Sequence, residues 1–304
     1  MSHYPNIKND QGRMEHLSSL YGVLFEFFGG EVLPNSAELM GMYGRMCVNS
    51  FSICNQEFQS VGSGIYLGAS VVDHSCQPNA VVTFEGTTLI MRALEPIPSF
   101  DWSKIFISYI DVMALKSERQ RELENTYYFL CQCPKCVVPE PVMEMTGAAC
   151  PNKNCEGCID INSIKADQAC QKCGTLVTED FIREYHEIMD ITNVHLENMK
   201  DTPYLDVCEV FLRKHEGVLY KYNVKHVKIL DLTFDTCIDF GKFEEATKYG
   251  LDEFYGKIHP MTGLLHLKLG KLLLYQNDTR EALEHLMKAK QVLKITHGVT
   301  SSLY

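Results

Sequence analysis

Val72-Asp73-His74-Ser75-Cys76-Gln77-Pro78-Asn79 decides how this chain folds. The octapeptide lies between a glycine-rich approach (Gly62, Gly64, Gly68) and the alternating run Ala80-Val81-Val82-Thr83-Phe84, which reads as a strand. A His, a Cys and an Asn within one turn make a poor core strand, so the turn has another purpose. Further along, Phe106-Ile107-Ser108-Tyr109-Ile110-Asp111 places a Tyr in another strand. Cys131, Cys133 and Cys136 follow as Cys-x-Cys-x-x-Cys, with Tyr127 and Phe129 just ahead of them. Three closely spaced thiols lack a fourth ligand, and Cys76 is the candidate. One zinc held by Cys76, Cys131, Cys133 and Cys136 would clamp the segment beyond Tyr109 back onto the His74 turn.

In this order and near this spacing, the three motifs resemble the SET-domain protein lysine methyltransferases and, within them, the SET-and-MYND family. The resemblance implies an S-adenosylmethionine-dependent protein-lysine N-methyltransferase acting on a histone or another protein. It implies Tyr109 as the catalytic residue. Asn6, Asn49, Asp73, His74, Tyr109 and Phe129 would contact the cofactor, and Phe51, Tyr127 and Phe129 would wall the lysine channel. Asn49-Ser50-Phe51 matches the family's Asn-Ser-Phe stretch, and Asn6 in Pro5-Asn6-Ile7 matches another cofactor-contacting Asn. Two departures stand out. Asp73 replaces the usual Asn, which keeps an acceptor but loses an amide donor, a change of about 1–3 kcal/mol if one hydrogen bond goes unmade. Phe100-Asp101-Trp102-Ser103-Lys104 replaces a Gly-Glu-Glu turn. The Gly-x-Gly cofactor turn and the MYND finger that precede the matching region in the family are missing. The expectation is therefore a partial SET domain holding the C-terminal half of the cofactor site, with activity in question.

A second cysteine group follows: Cys150-x4-Cys155-x2-Cys158, then Cys170-x2-Cys173-Gly174. Two hooks about fifteen residues apart, the last ending in Gly, resemble a zinc ribbon or knuckle. One tetrahedral site takes four of the five, so Cys150, Cys155, Cys170 and Cys173 are expected, with Cys158 the alternative in the first hook. The five left over, Cys47, Cys54, Cys158, Cys208 and Cys237, read as small buried hydrophobes.

With 304 residues the chain has room for two domains and a small insert, and its 45% hydrophobic content supports real cores. No run is long and apolar enough to span a bilayer, and Met1-Ser2-His3-Tyr4-Pro5 is unlike a secretory signal. A cytosolic or nuclear location follows as an expectation, with the thirteen Cys kept reduced as metal ligands or buried thiols. The net charge of -11 disfavours direct nucleic-acid binding and suits a Lys-rich protein substrate; no membrane partner is expected.

Along the chain, residues 1 to 12 carry no regular period. Leu17, Leu20, Tyr21, Leu24, Phe25 and Phe28 are spaced as in an amphipathic helix from Arg13 that ends at Gly29-Gly30, and Asn35-Ser36 caps a second through about Val48. Thr83 to Tyr109 reads as antiparallel strands, with Glu85-Gly86-Thr87 a turn. Ser117 caps a short charged helix, and Val137 to Thr146 reads as a linker. From Thr178 the pattern is helical, with breaks at Thr202-Pro203, Tyr222-Asn223, Gly241, His259-Pro260 and Asn277-Asp278. Gly241-Lys242-Phe243-Glu244-Glu245-Ala246 and Asn277-Asp278-Thr279-Arg280-Glu281-Ala282 repeat at an offset near that of tetratricopeptide-like pairs.

The expected fold is α+β. It comprises a partial SET domain over 1–112 with a helical insert at about 13–48 and a post-SET zinc segment over 113–138. A ribbon-like insert over 139–177 and a helical, tetratricopeptide-like domain over 178–304 follow. A rival function is a non-catalytic zinc and helical-repeat module that binds a partner peptide.

Overall fold

The computed structural model describes residues 3–29, 32–99, 101–138, 142–164, 168–198, 204–242 and 258–304. The chain divides into two compact units: residues 1–112 with 116–138, and residues 113–115 with 139–302. The elements are mixed helix and strand, and the sheets among the described residues are all two-stranded.

The first unit opens with α1 (Tyr4–Asn9), where no regular structure is expected from sequence. Pro5 suits the first helical turn, where a missing N–H costs nothing. Asp10 ends α1 and caps α2 (Gln11–Phe28) by accepting from the backbone N–H of Arg13, so α2 begins two residues ahead of its expected start. Asn35 caps α3 (Ser36–Asn49), its side chain accepting from the N–H groups of Ala37 and Glu38. Ile7, Leu17, Leu39, Met40 and Tyr43 form the core shared by these helices.

Two hairpins follow, β1 (Ser50–Cys54) with β2 (Ser60–Ile65) and β4 (Ala80–Glu85) with β5 (Thr88–Ala93), both antiparallel. The short strand β3 (Asp73–His74) pairs with β6 (Phe106–Ile107) in parallel, which corrects the expectation of antiparallel strands up to Tyr109. The reason lies in Asn79. Its side chain accepts from the N–H of Phe106 at 2.8 Å and donates to the carbonyl of Lys104 at 2.8 Å, pinning β6 alongside the turn.

Helix α4 (Lys116–Tyr127) contains Ser117 within its first turn rather than at its cap, and it buries Arg119 and Leu123. Cys133 precedes the one-turn α5 (Pro134–Val137).

In the second unit, α6 (Val142–Thr146) occupies part of the stretch expected as a linker. The strand pairs β7 (Ala148–Ala149) with β8 (Cys158–Ile159) and β9 (Gln168–Ala169) with β10 (Leu176–Val177) build the cysteine-rich insert. It shares one core with α7 (Glu179–Asn198): Ala148, Cys150, Ile159, Cys170 and Val177 pack with Phe181, Tyr185 and Ile188. Helices α8 (Leu205–His215), α9 (Val224–Asp239), α10 (Pro260–Tyr275) and α11 (Thr279–Thr296) follow. Asn223, His259 and Asp278 cap α9, α10 and α11, at breaks read from sequence. The break at Thr202-Pro203 and the first repeat from Phe243 to Ala246 lie outside the described residues. Among the described residues, no helix is long and apolar enough to cross a membrane.

Candidate functional site

The β3–β6 pair sets the site. Ser75 donates its N–H to Ile107 at 3.0 Å, so the turn after β3 leaves toward the cysteines while β6 runs on to Tyr109. The backbone N–H of Tyr109 donates to Nδ1 of His74 at 3.0 Å. That bond makes Nδ1 the acceptor and places the ring proton on Nε2, which lies 3.3 Å from the Cys76 sulfur. Burial, and secondarily the charge of Arg119, hold the His74 pKa down at about 4, so the ring is neutral. His74 thus joins the metal-ligand candidate Cys76 to the backbone of the Tyr that follows β6.

Four rings gather there. The centroids of His74 and Tyr109 are 5.2 Å apart, those of Tyr109 and Tyr127 5.0 Å, and those of His74 and Phe129 5.9 Å. Tyr109 and Phe129 meet edge to face at 6.5 Å. Between Tyr127 and Phe129, Tyr128 sits in the left-handed region at φ 61°, where a bulky residue is strained. Its hydroxyl donates to the Asp10 carboxylate at 3.1 Å, which holds that turn as the chain leaves α4.

The Tyr109 hydroxyl donates to the carbonyl of Val72 at 2.5 Å. Burial, with the nearby Asp73 carboxylate and Tyr127, pushes its pKa up to about 12. A neutral hydroxyl, a backbone carbonyl and the faces of Tyr127 and Phe129 form an acceptor-rich, aromatic setting that suits a cationic centre.

Of the other residues singled out from sequence, Asp73 is exposed on β3 and pairs with Phe106. Phe51 stacks edge to face on Tyr66 at 5.9 Å and packs into the cluster of Val72, Ala80, Ile105 and Ile107, which Tyr109 also borders. Asn49 ends α3. Its amide donates to the carbonyl of Arg45 at 2.7 Å, and its own carbonyl accepts from Ser70 at 3.4 Å. Asn6 is exposed on α1, whose buried residue Ile7 belongs to the helical core rather than to the ring cluster.

The eight expected metal ligands fall into two clusters. In the first, Cys76, Cys131, Cys133 and Cys136 place all four sulfurs within 4.8 Å of one another. Cys76 lies 4.0 Å from Cys131 and 3.5 Å from Cys136. In the second, Cys150, Cys155, Cys170 and Cys173 do the same, with Cys150 to Cys173 at 3.5 Å and Cys155 to Cys170 at 4.0 Å. A tetrahedral zinc with Zn–S bonds of about 2.3 Å sets its thiolates about 3.8 Å apart, so both clusters fit that ion. Cys158, the alternative ligand, instead directs its thiol at the carbonyl of Met143 at 3.2 Å.

Two neighbours on α4 were not visible as site residues in the sequence. Gln120 clamps the backbone of Cys131, donating to its carbonyl at 2.6 Å and accepting from its N–H at 2.8 Å. Arg119 is completely buried, and its charge acts on the Cys76 thiol, favouring the thiolate. The available signal was spacing: Arg119, Leu123 and Tyr127 fall at i, i+4 and i+8, one face of a helix otherwise rich in charge.

No protein-family model matches the chain. Curated proteins do. Histone-lysine N-methyltransferase SMYD3 of Mus musculus is 28% identical over 277 residues, covering 89% of this chain and 58% of its own length. Histone-lysine N-methyltransferase ASHR1 of Arabidopsis thaliana is 27% identical, covering 87% of this chain and 58% of its own. N-lysine methyltransferase SMYD2 of Gallus gallus is 26% identical over 298 residues, covering 96% of this chain and 64% of its own. The chain is a homologue of the SET-and-MYND proteins. It spans 58% of the length of the SMYD3 and ASHR1 relatives that it matches. In this SET-and-MYND homologue, the matched region includes the His74 turn, Tyr109 and the Cys131–Cys136 knuckle, since at least 87% of the chain aligns and these lie well inside it.

Proposed function

We propose that this chain carries a protein-lysine N-methyltransferase site, with the His74–Tyr109–Tyr127–Phe129 cluster as its centre. The single observation that carries the reading is the placement of the Tyr109 hydroxyl against the Val72 carbonyl, inside aromatic rings and tied through His74 to a four-thiol cluster. Bound S-adenosylmethionine supplies an electrophilic methyl group on a cationic sulfonium. The Tyr109 oxygen and the Val72 carbonyl are the acceptors, and Tyr127 and Phe129 the ring faces, that would surround such a cation. Asp73, His74, Asn49 and Asn6 are the remaining residues proposed to hold the cofactor, and Phe51 the further wall of the lysine channel.

Tyr109 does not act as a base in this reading. Its pKa near 12 keeps the proton on the hydroxyl at neutral pH, and that proton is given to Val72. Its role is to orient an already neutral lysine amine and to exclude water, which is most of what an in-line methyl transfer requires.

The substrate is proposed to be a lysine of a histone or of another protein, drawn by the net charge of -11. The helical part, read as tetratricopeptide-like, is the proposed surface for a partner peptide. A cytosolic or nuclear setting, with the cysteines kept reduced as metal ligands or buried thiols, is part of the same proposal.

The test is direct. The zinc-loaded chain is titrated with S-adenosylmethionine in a calorimeter and then assayed for transfer of labelled methyl groups to lysine-rich proteins. Tyr109→Phe should lower transfer on the order of 10²-fold while leaving cofactor affinity near normal. No heat of binding from folded protein, or equal transfer by the mutant, refutes the proposal.

A further inference from the structure

The largest side chain with no exposure in the described chain is a cation. Arg119 sits on α4 at 0% exposure, on the face it shares with Leu123 and Tyr127, which pack into the cluster of Cys76, Cys131 and Cys136. Its charge favours the thiolate of Cys76. Its charge is also felt by His74, whose Nε2–H lies 3.3 Å from the same sulfur. Cys76 therefore has a ring N–H at hydrogen-bond distance and the charge of a buried guanidinium acting on it, besides any metal. The next residue of the helix, Gln120, grips the backbone of Cys131, so α4 touches two of the four ligands through adjacent positions.

The charge balance gives these contacts a purpose. Four thiolates around Zn²⁺ carry two net negative charges, and Cys76 and Cys136 are both buried, at 2% and 3% exposure. Charge buried away from water is costly unless an opposite charge lies against it with good hydrogen bonds. A guanidinium presents several N–H donors in a fixed plane and stays protonated at any working pH. The second cluster is built differently: Cys173 is exposed, and water can reach that site.

We propose that Arg119 is the built-in counter-ion of the first cysteine cluster, its guanidinium donating to Cys76 and offsetting one of the two negative charges of a zinc tetrathiolate. This inference rests on the first cluster being a zinc site, as in the proposed function, and it adds a residue that acts through a ligand rather than as one. Arg119 is a positioning residue: by holding Cys76 it also holds the β3 turn that carries His74.

The test compares Arg119→Met, which keeps the bulk of the stem, with Arg119→Lys, which keeps the charge. Zinc retention by the full chain is measured by competition with a chromogenic chelator. The first site of Arg119→Met should bind zinc about 10–100-fold more weakly, as when other outer-shell partners are removed. Arg119→Lys should recover most of that loss. The second site serves as an internal control and should keep its affinity in both variants. With cobalt in place of zinc, the sulfur-to-metal band of the first site should move to longer wavelength in Arg119→Met and return in Arg119→Lys, because a nearby positive charge stabilises the sulfur lone pair. Equal zinc affinity in wild type and Arg119→Met, or equal losses in Met and Lys, overturns the proposal. Should Arg119→Met not fold, Arg119→Gln takes its place. Failure of both neutral variants beside a normally loaded Arg119→Lys supports the counter-ion role, and failure of all three refutes it. A wild-type chain that retains zinc only at the second site refutes the metal reading itself, a separate outcome.

Discussion

At the scale of single residues, the site is set by which atom holds each proton. His74 accepts the Tyr109 N–H on Nδ1, so its only proton points at Cys76, and Tyr109 keeps its own proton on the Val72 carbonyl. Neither group is placed to take a proton from lysine near neutral pH, since His74 already uses both nitrogens and Tyr109 titrates only near 12. In the proposed reaction the amine must therefore lose its proton before it is bound. The rate of transfer at limiting substrate should therefore rise with pH toward the ordinary lysine pKa of about 10.4. A pH–rate profile measured from 7 to 10 checks this. Tyr109→Phe should lie below wild type across that range with the same shape, whereas a profile that bends only in wild type would make Tyr109 a titrating base. The sequence already pointed to His74, Cys76 and Tyr109, because a His and a Cys in one tight turn need a reason. Arg119 was hidden, because a cation among Glu118, Gln120, Arg121 and Glu122 reads as a solvated face until the fold buries it.

At the scale of elements, caps were legible and short pairings were not. Asn35, Asn223 and Asp278 each accept from a backbone N–H where the composition had marked a helix start. The two-residue strands β3 and β6 are too short to carry a period, and their parallel pairing is held by the Asn79 side chain together with the backbone bond from Ser75 to Ile107. The spacing of the ribbon cysteines likewise left Cys155 and Cys158 undecided; the pairing of β7 with β8 turns Cys158 toward Met143 and leaves Cys155 facing Cys170.

The α10–α11 hairpin depends on a close approach that composition does not advertise. A Cβ on Gly270 would lie 2.6 Å from Cγ of Leu286 and 3.2 Å from its backbone nitrogen. Helix propensity favours Ala over Gly by about 1 kcal/mol, but overpacking against a branch point and a backbone atom costs about 1–3 kcal/mol. Gly270→Ala should therefore destabilise the second unit, by up to about 2 kcal/mol, in urea unfolding. Gly41→Ala on α3, where nothing lies within 4 Å of the new methyl, should stabilise by up to about 1 kcal/mol.

Helices α7, α8 and α9 meet at a histidine pair whose protons are likewise ordered. Thr192 gives its hydroxyl proton to Ile188 and so accepts from His215 Nε2 at 2.9 Å; His215 Nδ1 then accepts from His226 Nδ1 at 3.3 Å. Burial lowers both pKa values, that of His215 to about 3 with the charge of His226 adding to it, and that of His226 to about 4. Both lie below the unfolded value near 6.5, so the unfolded chain takes up protons first as the pH falls. The stability these neutral rings contribute is complete above about 6.5 and is lost as pH falls toward 4. At pH 5 the loss amounts to about 2 kcal/mol for each ring. In His226→Asn, whose amide can still donate to His215, the drop in stability between pH 7 and 5 should be smaller by about that amount. An unchanged slope would mean that the pair does not titrate as the geometry requires.

At the scale of the whole molecule, each unit contains its own four-thiol cluster, and the two clusters share no residue. In the first, the four thiols join a turn at Cys76 to a knuckle more than fifty residues later, so a metal held there would close a long loop that carries Tyr109. In the second, Cys150 and Cys170 belong to the core formed with α7, so a metal held there would support the insert and its packing. Zinc binding contributes to folding only where its ligands are brought together by the fold it stabilises. The full chain should therefore hold two zinc ions, and Cys131→Ser and Cys150→Ser should each release one. On the proposed function, Cys131→Ser should abolish methyl transfer, because the site it disrupts is the one joined through Cys76 and His74 to Tyr109, while the helical signal of the second unit survives. Cys150→Ser should instead lower the unfolding midpoint of the second unit and leave S-adenosylmethionine binding measurable. Metal analysis, circular dichroism and calorimetry on the same preparations separate these outcomes. Loss of both ions from either variant would show that the two sites fold as one, and that independence of the clusters does not extend to their stability.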